Sequence, residues 1–148
     1  MYKKILVPLD GSKRAERILP HVEELAGKFG SHLVLLQIVE PIVLMAAPTD
    51  MGGYYDPTEI ERLTEEATAY LQGLQAALQA KGIPSEAIID NGTVVTAILE
   101  EATRKEVDLI AMASHGRTGL ARAFFGSVAT GVLNQANQAL LLVRAQGE

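Results

Sequence analysis

Five short, almost unbroken apolar runs punctuate this chain, and segments of helical period separate them. The runs are Ile5-Leu6-Val7, Leu33-Val34-Leu35-Leu36, Ala87-Ile88-Ile89, Leu109-Ile110-Ala111-Met112 and Leu140-Leu141-Leu142-Val143. A strand with one face in water alternates apolar and polar residues. A strand that is apolar throughout has both faces buried, the condition of a parallel sheet layered between helices. Between the runs, Ile18, Val22, Leu25, Ala26 and Phe29 fall on one helical stripe, and Ile60, Leu63, Ala67, Leu71, Leu74 and Leu78 on a longer one. Val95, Ile98, Leu99 and Ala102 make a third stripe, and Ala129, Val132, Leu133 and Ala136 a fourth. This order predicts an α/β fold: an open, doubly wound, five-stranded parallel sheet with helices on both faces and right-handed crossovers. No repeat or linker divides the 148 residues, so a single domain over 1–148 is expected.

Two segments fit this pattern less smoothly. Pro20 lies inside the first helical segment and predicts a kink or a late helix start. Residues 40–57 carry no period and contain Pro41, Pro48, Gly52-Gly53 and Tyr54-Tyr55. They read as a long surface loop, either a lid or disordered, in which Tyr54 and Tyr55 are candidates to cover a ligand.

Composition narrows the function classes. The net charge is −5, with 13 basic residues scattered among 18 acidic ones. That argues against nucleic acid and against anionic membrane surfaces, which need concentrated Lys and Arg. There is no cysteine, so disulfides, thiolate zinc sites and thiol catalysis are excluded. The opening apolar run is too short for a signal peptide. The longest apolar stretch, 33–48, is interrupted by Gln37, Glu40 and Pro41 and falls short of the about 20 residues a membrane span needs. A cytoplasmic protein is expected.

Open α/β sheets bind ligands beyond the carboxyl ends of their strands, so a site is expected at the strand tips. The first strand ends in Pro8-Leu9-Asp10-Gly11-Ser12. Asp10 reads equally as a turn residue and as an acceptor for a ribose or other diol, and Ser12 suits the N-cap of the next helix. The fourth strand runs into Ala113-Ser114-His115-Gly116-Arg117-Thr118-Gly119, and Gly126-Ser127 opens the last helix. Free N–H groups at a helix N-terminus, beside glycines that let a ligand approach the backbone, suit an anion or phosphate. The Ser127 hydroxyl is either a phosphate donor or a helix cap. No G-x-x-x-x-G-K-[ST] occurs, and no G-x-G-x-x-G follows the first strand, which sets aside a P-loop nucleotidase and weakens a dinucleotide reading.

These residues resemble the universal stress protein family over essentially the whole chain. Nucleotide-binding members carry G-x2-G-x9-G-[S/T] after the fourth strand. Here Gly116, nine residues and Gly126-Ser127 reproduce its second part. The opening Ile5-Leu6-Val7-Pro8-Leu9-Asp10-Gly11-Ser12 and the stretch Ser114-His115-Gly116-Arg117-Thr118-Gly119-Leu120 are also similar to the family's. The resemblance implies a Rossmann-like sheet of the adenine nucleotide alpha hydrolase type, with ATP across the strand tips. Asp10 would hold the ribose, and Pro8, Leu9 and the Ile38 backbone would frame the adenine. Met112 and Ala113 would sit near the sugar. His115, Gly116, Gly126, Ser127 and Val128 would surround the phosphates, accompanied by Mg²⁺ or Mn²⁺. It also implies a homodimer through antiparallel pairing of Leu140-Leu141-Leu142-Val143, which would remove an apolar sheet edge. The chain departs from the pattern at Ala113, the position of its first glycine. It departs again at Ala129, where some members have a hydroxyl, and at Ala139, commonly a proline.

Other chemistry-bearing residues have plainer readings. His115 lacks a visible Ser/Asp partner and reads as a loop residue touching phosphate or solvent. Arg117 and Arg122 read as phosphate ligands or as solvated charges. Glu23-Glu24, Glu65-Glu66 and Glu100-Glu101 read as solvated helix faces, since adjacent helical residues point apart. His21 and His32 lack partners at metal-ligand spacing. Three functions remain: an ATP-binding stress or signalling module, a dimer that binds no nucleotide with Ala113 marking a lost site, and a slow ATPase or nucleotidyl-transfer enzyme.

Overall fold

The computed structural model turns each apolar run into a strand of one sheet. It describes residues 1–41, 43–44, 54–114 and 126–145. In chain order the elements are β1 (Lys4–Leu9), a 3-10 turn (Ala15–Ile18), α1 (Leu19–Phe29), β2 (His32–Val39), β3 (Val43–Leu44) and β4 (Tyr54–Tyr55). There follow α2 (Pro57–Ala80), β5 (Ser85–Asn91), α3 (Val94–Arg104), β6 (Leu109–Ser114), α4 (Gly126–Gln135) and β7 (Ala139–Arg144). The main sheet has the order β5-β2-β1-β6-β7, and every pair in it is parallel. The chain winds outward from β1 to β5, returns to the far side of β1 and finishes at β7. The winding reverses between β1 and β6.

Two apolar layers hold the helices to the sheet. Ile5, Val7, Leu9, Leu33 and Leu35 pack against Val22 and Ala26 of α1 and Leu71 and Leu78 of α2. Leu6, Val34, Leu36 and Ile110 pack on the opposite face against Ile98 and Ala102 of α3 and Ala129 and Val132 of α4. Successive residues of a strand point to opposite faces, so the unbroken runs feed both layers at once. Each large aliphatic side chain so buried contributes about 1.5–3 kcal/mol. The helices α3 and α4 approach closely at one point. A Cβ placed on Gly131 would lie 2.8 Å from Cγ2 of Val95.

Several expectations are refined. Pro20 produces the late start: it occupies the first turn of α1, where its missing N–H has no intrahelical partner to lose. The Ser12 hydroxyl does not cap α1. It accepts from the Ala15 N–H at 3.1 Å and closes the turn leading into the 3-10 segment. The stretch 40–57 contains a short ladder, in which Val43 and Leu44 pair antiparallel with Tyr55 and Tyr54. Strands of two residues are too short to leave a period. Leu133 leaves the fourth stripe and is 47% exposed, while Ala129 and Val132 carry the contact. Glu101 is not a solvated carboxylate. It is buried and holds Arg104 with both of its oxygens.

Charged side chains clamp the amino end of the sheet. The Asp108 carboxylate accepts from the backbone N–H groups of Lys3 (2.8 Å) and Lys4 (3.2 Å), tying β1 to the turn before β6. Lys4 Nζ donates to the Lys105 carbonyl at 2.8 Å, and Lys105 Nζ donates to Glu86 at 2.8 Å. His32 Nε2 lies 3.6 Å from the same carboxylate. Partial burial pushes the Glu86 carboxyl up, but the hydrogen bond and charge of Lys105, with His32 and Lys4, outweigh it and hold the group below its ordinary 4.5. A carboxyl depressed in the folded state stabilises above its unfolded pKa, and the benefit fades as pH falls through the folded value. Glu86→Gln is therefore expected to lower Tm at pH 7 and to converge with the unmodified protein towards pH 3. A Tm difference constant across thermal melts from pH 7 to 3 contradicts this account.

Candidate functional site

The sheet opens at its own switch point. Strands β1 and β2 stay registered to Leu9–Gln37, and β6 and β7 to Ser114–Arg144. By contrast, β1 and β6 pair only at Ile5–Leu109 and Leu6–Ile110. Beyond Leu6 the next even-numbered position is Pro8, which has no N–H to give a central strand. The carboxyl halves of β1 and β6 thus flank a crevice between the two halves of the fold, the place where doubly wound sheets take ligands.

Local chemistry shapes each lip of that crevice. At the β1 tip, Asp10 Oδ1 accepts from the Ser12 N–H at 2.9 Å, with Gly11 at φ 85°. An aspartate that bonds the backbone two residues on makes an Asx-turn, and the left-handed residue inside it favours glycine. Asp10 is thus a turn residue. It is also exposed, and with Ile38 it lines a cavity of about 370 Å³ between the tips of β1 and β2 and the side of α2. On the other lip, Met112 and Ala113 are buried in β6. Among the described residues only Tyr2 and Glu106 are non-glycines with positive φ, so Ala113 stands in ordinary strand backbone and no glycine conformation is needed there.

Gly126 opens α4 with φ 67°, inside the left-handed region. Ser127 is exposed and Val128 half-buried in the same first turn. The Gly126 carbonyl accepts from the Thr130 hydroxyl at 2.8 Å. Ala129 is 2% exposed and faces the α3/α4 core. The first turn of a helix offers unsatisfied N–H groups and the positive end of the dipole, a combination that stabilises anions. His115 and Gly116 lie outside the described residues, as do Arg117, Gly119 and Arg122.

Three polar residues near the cavity are not marked by a place in the strand-tip motifs. The Gln37 amide and the Tyr70 ring are in its wall, and Glu16 approaches Tyr70 from the 3-10 turn. Burial pushes the Tyr70 hydroxyl pKa well up, and the carboxylates of Glu16 and Asp10 push it the same way. Gln37 had a signal, being the one polar residue between Leu33 and Val39 of β2. Tyr70 had none, since it sits beside Leu71 at ordinary helical spacing. The two described histidines lie apart from the crevice. His32 joins the clamp at the amino end. His21 borders a larger groove of about 740 Å³ that runs beside β7 with Tyr2, Leu25 and Leu140, away from the strand tips. Among the described residues no three His, Cys, Asp or Glu side chains converge on a metal position, and no helix is long and apolar enough to cross a membrane.

A family model described as the universal stress protein family matches residues 1–144. The universal stress protein MJ0577 of Methanocaldococcus jannaschii is 30% identical over 155 aligned residues, covering 97% of this chain and 96% of that protein. A solved structure of hypothetical protein MJ0577 superposes with a TM-score of 0.80 at 29% identity, covering 100% of this chain and 99% of that one. A universal stress protein solved in complex with cAMP shares the fold, with a TM-score of 0.66 at 20% identity over 98% of each chain.

Proposed function

This chain belongs to the universal stress protein family, and from that premise we propose that it is an ATP-binding stress-response and signalling module rather than a dedicated catalyst. The observation that carries the reading is the opening between β1 and β6, with a left-handed glycine starting a helix on one side and an acid-bearing turn on the other. In this reading Pro8, Leu9 and the Ile38 backbone frame the adenine, Asp10 takes the ribose, and Met112 and Ala113 lie along the sugar. The first turn of α4, with Gly126, Ser127 and Val128, receives the phosphates together with His115 and Gly116. A methyl at 113 is compatible with this arrangement, since the backbone there is extended.

Mg²⁺ or Mn²⁺ would neutralise phosphate charge when bound. The described residues offer it no three-ligand protein site, so it would enter held by phosphate oxygens. The adenine nucleotide held by a fold relative makes this ligand class the first to try. We further read residues 1–148 as one domain, cytoplasmic, and paired as a homodimer. β7 supports the pairing: it is an edge strand whose residues Leu140, Leu141, Leu142 and Val143 are only half-buried, an edge that invites a second copy.

Calorimetric titration with Mg-ATP and with adenosine tests the proposal. The protein is expected to bind both. Asp10→Ala is expected to weaken both by about tenfold, the roughly 1.4 kcal/mol of one lost charge-assisted hydrogen bond. Asp10→Asn keeps an acceptor for the Ser12 N–H and separates turn damage from ligand loss. Unchanged adenosine affinity in Asp10→Ala removes that residue from the site. No binding of either ligand by the unmodified protein shifts the function to a nucleotide-free dimer.

A further inference from the structure

The turn that carries Asp10 is bonded chiefly to itself. Asp10 Oδ1 accepts from the Ser12 N–H at 2.9 Å, and the Ser12 hydroxyl oxygen accepts from the Ala15 N–H at 3.1 Å. The Ser12 carbonyl in turn accepts from the Glu16 N–H at 3.3 Å. These bonds make residues 10–16 move as one piece, yet none of them leaves the segment. Gly11, at φ 85°, is an adaptable joint within it. Ala15 and Ile18 anchor the apolar side of the piece, buried in one layer with Val7, Leu9 and Ala111. Its polar side depends on Glu16, whose side chain is only 16% exposed. Among the described residues that carboxylate meets Lys13 and Tyr70. Lys13 Nζ approaches to 3.1 Å, but its side chain is 96% exposed, and a pair so open to water contributes little. The Tyr70 hydroxyl of α2 is the stronger partner: its oxygen and Glu16 Oε2 are both closed to solvent. Burial, with the carboxylates of Glu16 and Asp10, keeps the proton on Tyr70, so the phenol donates and the carboxylate accepts. A charge-assisted bond of this kind is roughly twice as strong as a neutral one.

We propose that Glu16 and Tyr70 are positioning residues of the nucleotide site: their bond fastens the Asp10 turn to α2 and sets where the Asp10 carboxylate meets the ribose. The inference rests on the adenine-nucleotide reading above. A binding group must be held within about 0.5 Å of its productive place by residues that are themselves locked. Tyr70 is locked. It lies within α2, a helix of 24 residues, and the next residue, Leu71, is fully buried in the core. Tyr70 and Asp10 line the same cavity, so the tie and the ligand-facing acid share one wall. The rigid helix thus lends its position to an exposed turn that contains a glycine.

Mg-ATP and its dideoxy analogue share base and phosphates and differ in the ribose hydroxyls, so the ratio of their affinities reads the ribose contact. The unmodified protein is expected to prefer Mg-ATP by about tenfold. In Tyr70→Phe and Glu16→Leu the ratio is expected to fall to within about threefold, through weaker Mg-ATP binding at unchanged dideoxy affinity. Glu16→Gln keeps an oxygen for the Tyr70 hydroxyl and is expected to retain most of the preference. Tyr70→Phe removes a single oxygen and decides the matter where Glu16→Leu does not fold. A merely structural pair would lower both affinities together and leave the ratio intact, and that result overturns the inference. So does an undiminished preference and affinity in Tyr70→Phe. A ratio near one in the unmodified protein removes the ribose contact and the inference with it, and leaves nucleotide binding standing. Absence of binding to either nucleotide overturns both readings together.

Discussion

Gly126→Val is expected to weaken Mg-ATP binding by about a hundredfold, roughly 2.7 kcal/mol, in a protein that still folds. The residue sits at φ 67°, where a β-branched side chain is severely strained. Relief of that strain, about 1–3 kcal/mol, requires the first turn of α4 to change its backbone. The N–H groups proposed to receive phosphate belong to that turn and would lose their common direction. Damage should stop there, because α4 is anchored further along by Ala129 and Val132 in the α3/α4 core. Circular dichroism and a cooperative melt should therefore remain near normal while calorimetry shows the loss. Normal affinity in Gly126→Val would remove α4 from the phosphate site.

The second large effect is structural. Gly131→Val is expected to destabilise the fold by about 3 kcal/mol, the upper part of the usual overpacking range. On a protein of this size that corresponds to a fall in Tm of about 6–12 °C. A new Cβ would lie 2.8 Å from Cγ2 and 3.1 Å from Cγ1 of Val95, well inside contact distance. Val95 is β-branched and on a helix, so it has essentially one rotamer and cannot swing away. Alanine at 131 gives a smaller net change, since about 1 kcal/mol of improved helix propensity offsets the crowding. Val95→Ala opens the space, and in that background Gly131→Ala should become stabilising. Urea denaturation of the four proteins forms a double-mutant cycle. Additive energies in that cycle would show that residues 95 and 131 do not press on each other.

How much of this was legible beforehand depends on the distance over which each feature is encoded. The five strands and the two-faced sheet follow from runs such as Leu33-Val34-Leu35-Leu36, because apolar periodicity is local and repeated. Gly126 was legible as a helix opener, and Asp10-Gly11-Ser12 as a turn, since turn chemistry acts within three residues. Leu133 was misplaced because one more apolar residue at the right spacing cannot be told from a contact until the neighbouring helix is present. Glu101 was misread for the same reason: its burial depends on how α3 is rotated against the sheet. Gln37 and Tyr70 come together from β2 and α2, and no spacing rule connects them. Ala113 illustrates the reverse case, where a departure from a family pattern gains or loses meaning only with the backbone angle beneath it.

The unequal ladders of the main sheet bear on how this molecule can move. β5, β2 and β1 form one continuous leaf and β6 and β7 another; among the described residues the leaves share apolar layers on both faces, but their registered backbone pairs are two, which lie with the Asp108 clamp near one end. Local opening in a protein follows the lines of fewest bonds, and here the backbone ladder of the seam is fastened at the base and unpaired towards the rim. A molecule lying across the rim would join the leaves at the far end from the fastening, where leverage against opening is greatest. Occupancy would then be felt along the whole seam, as far as the outer edge of β7.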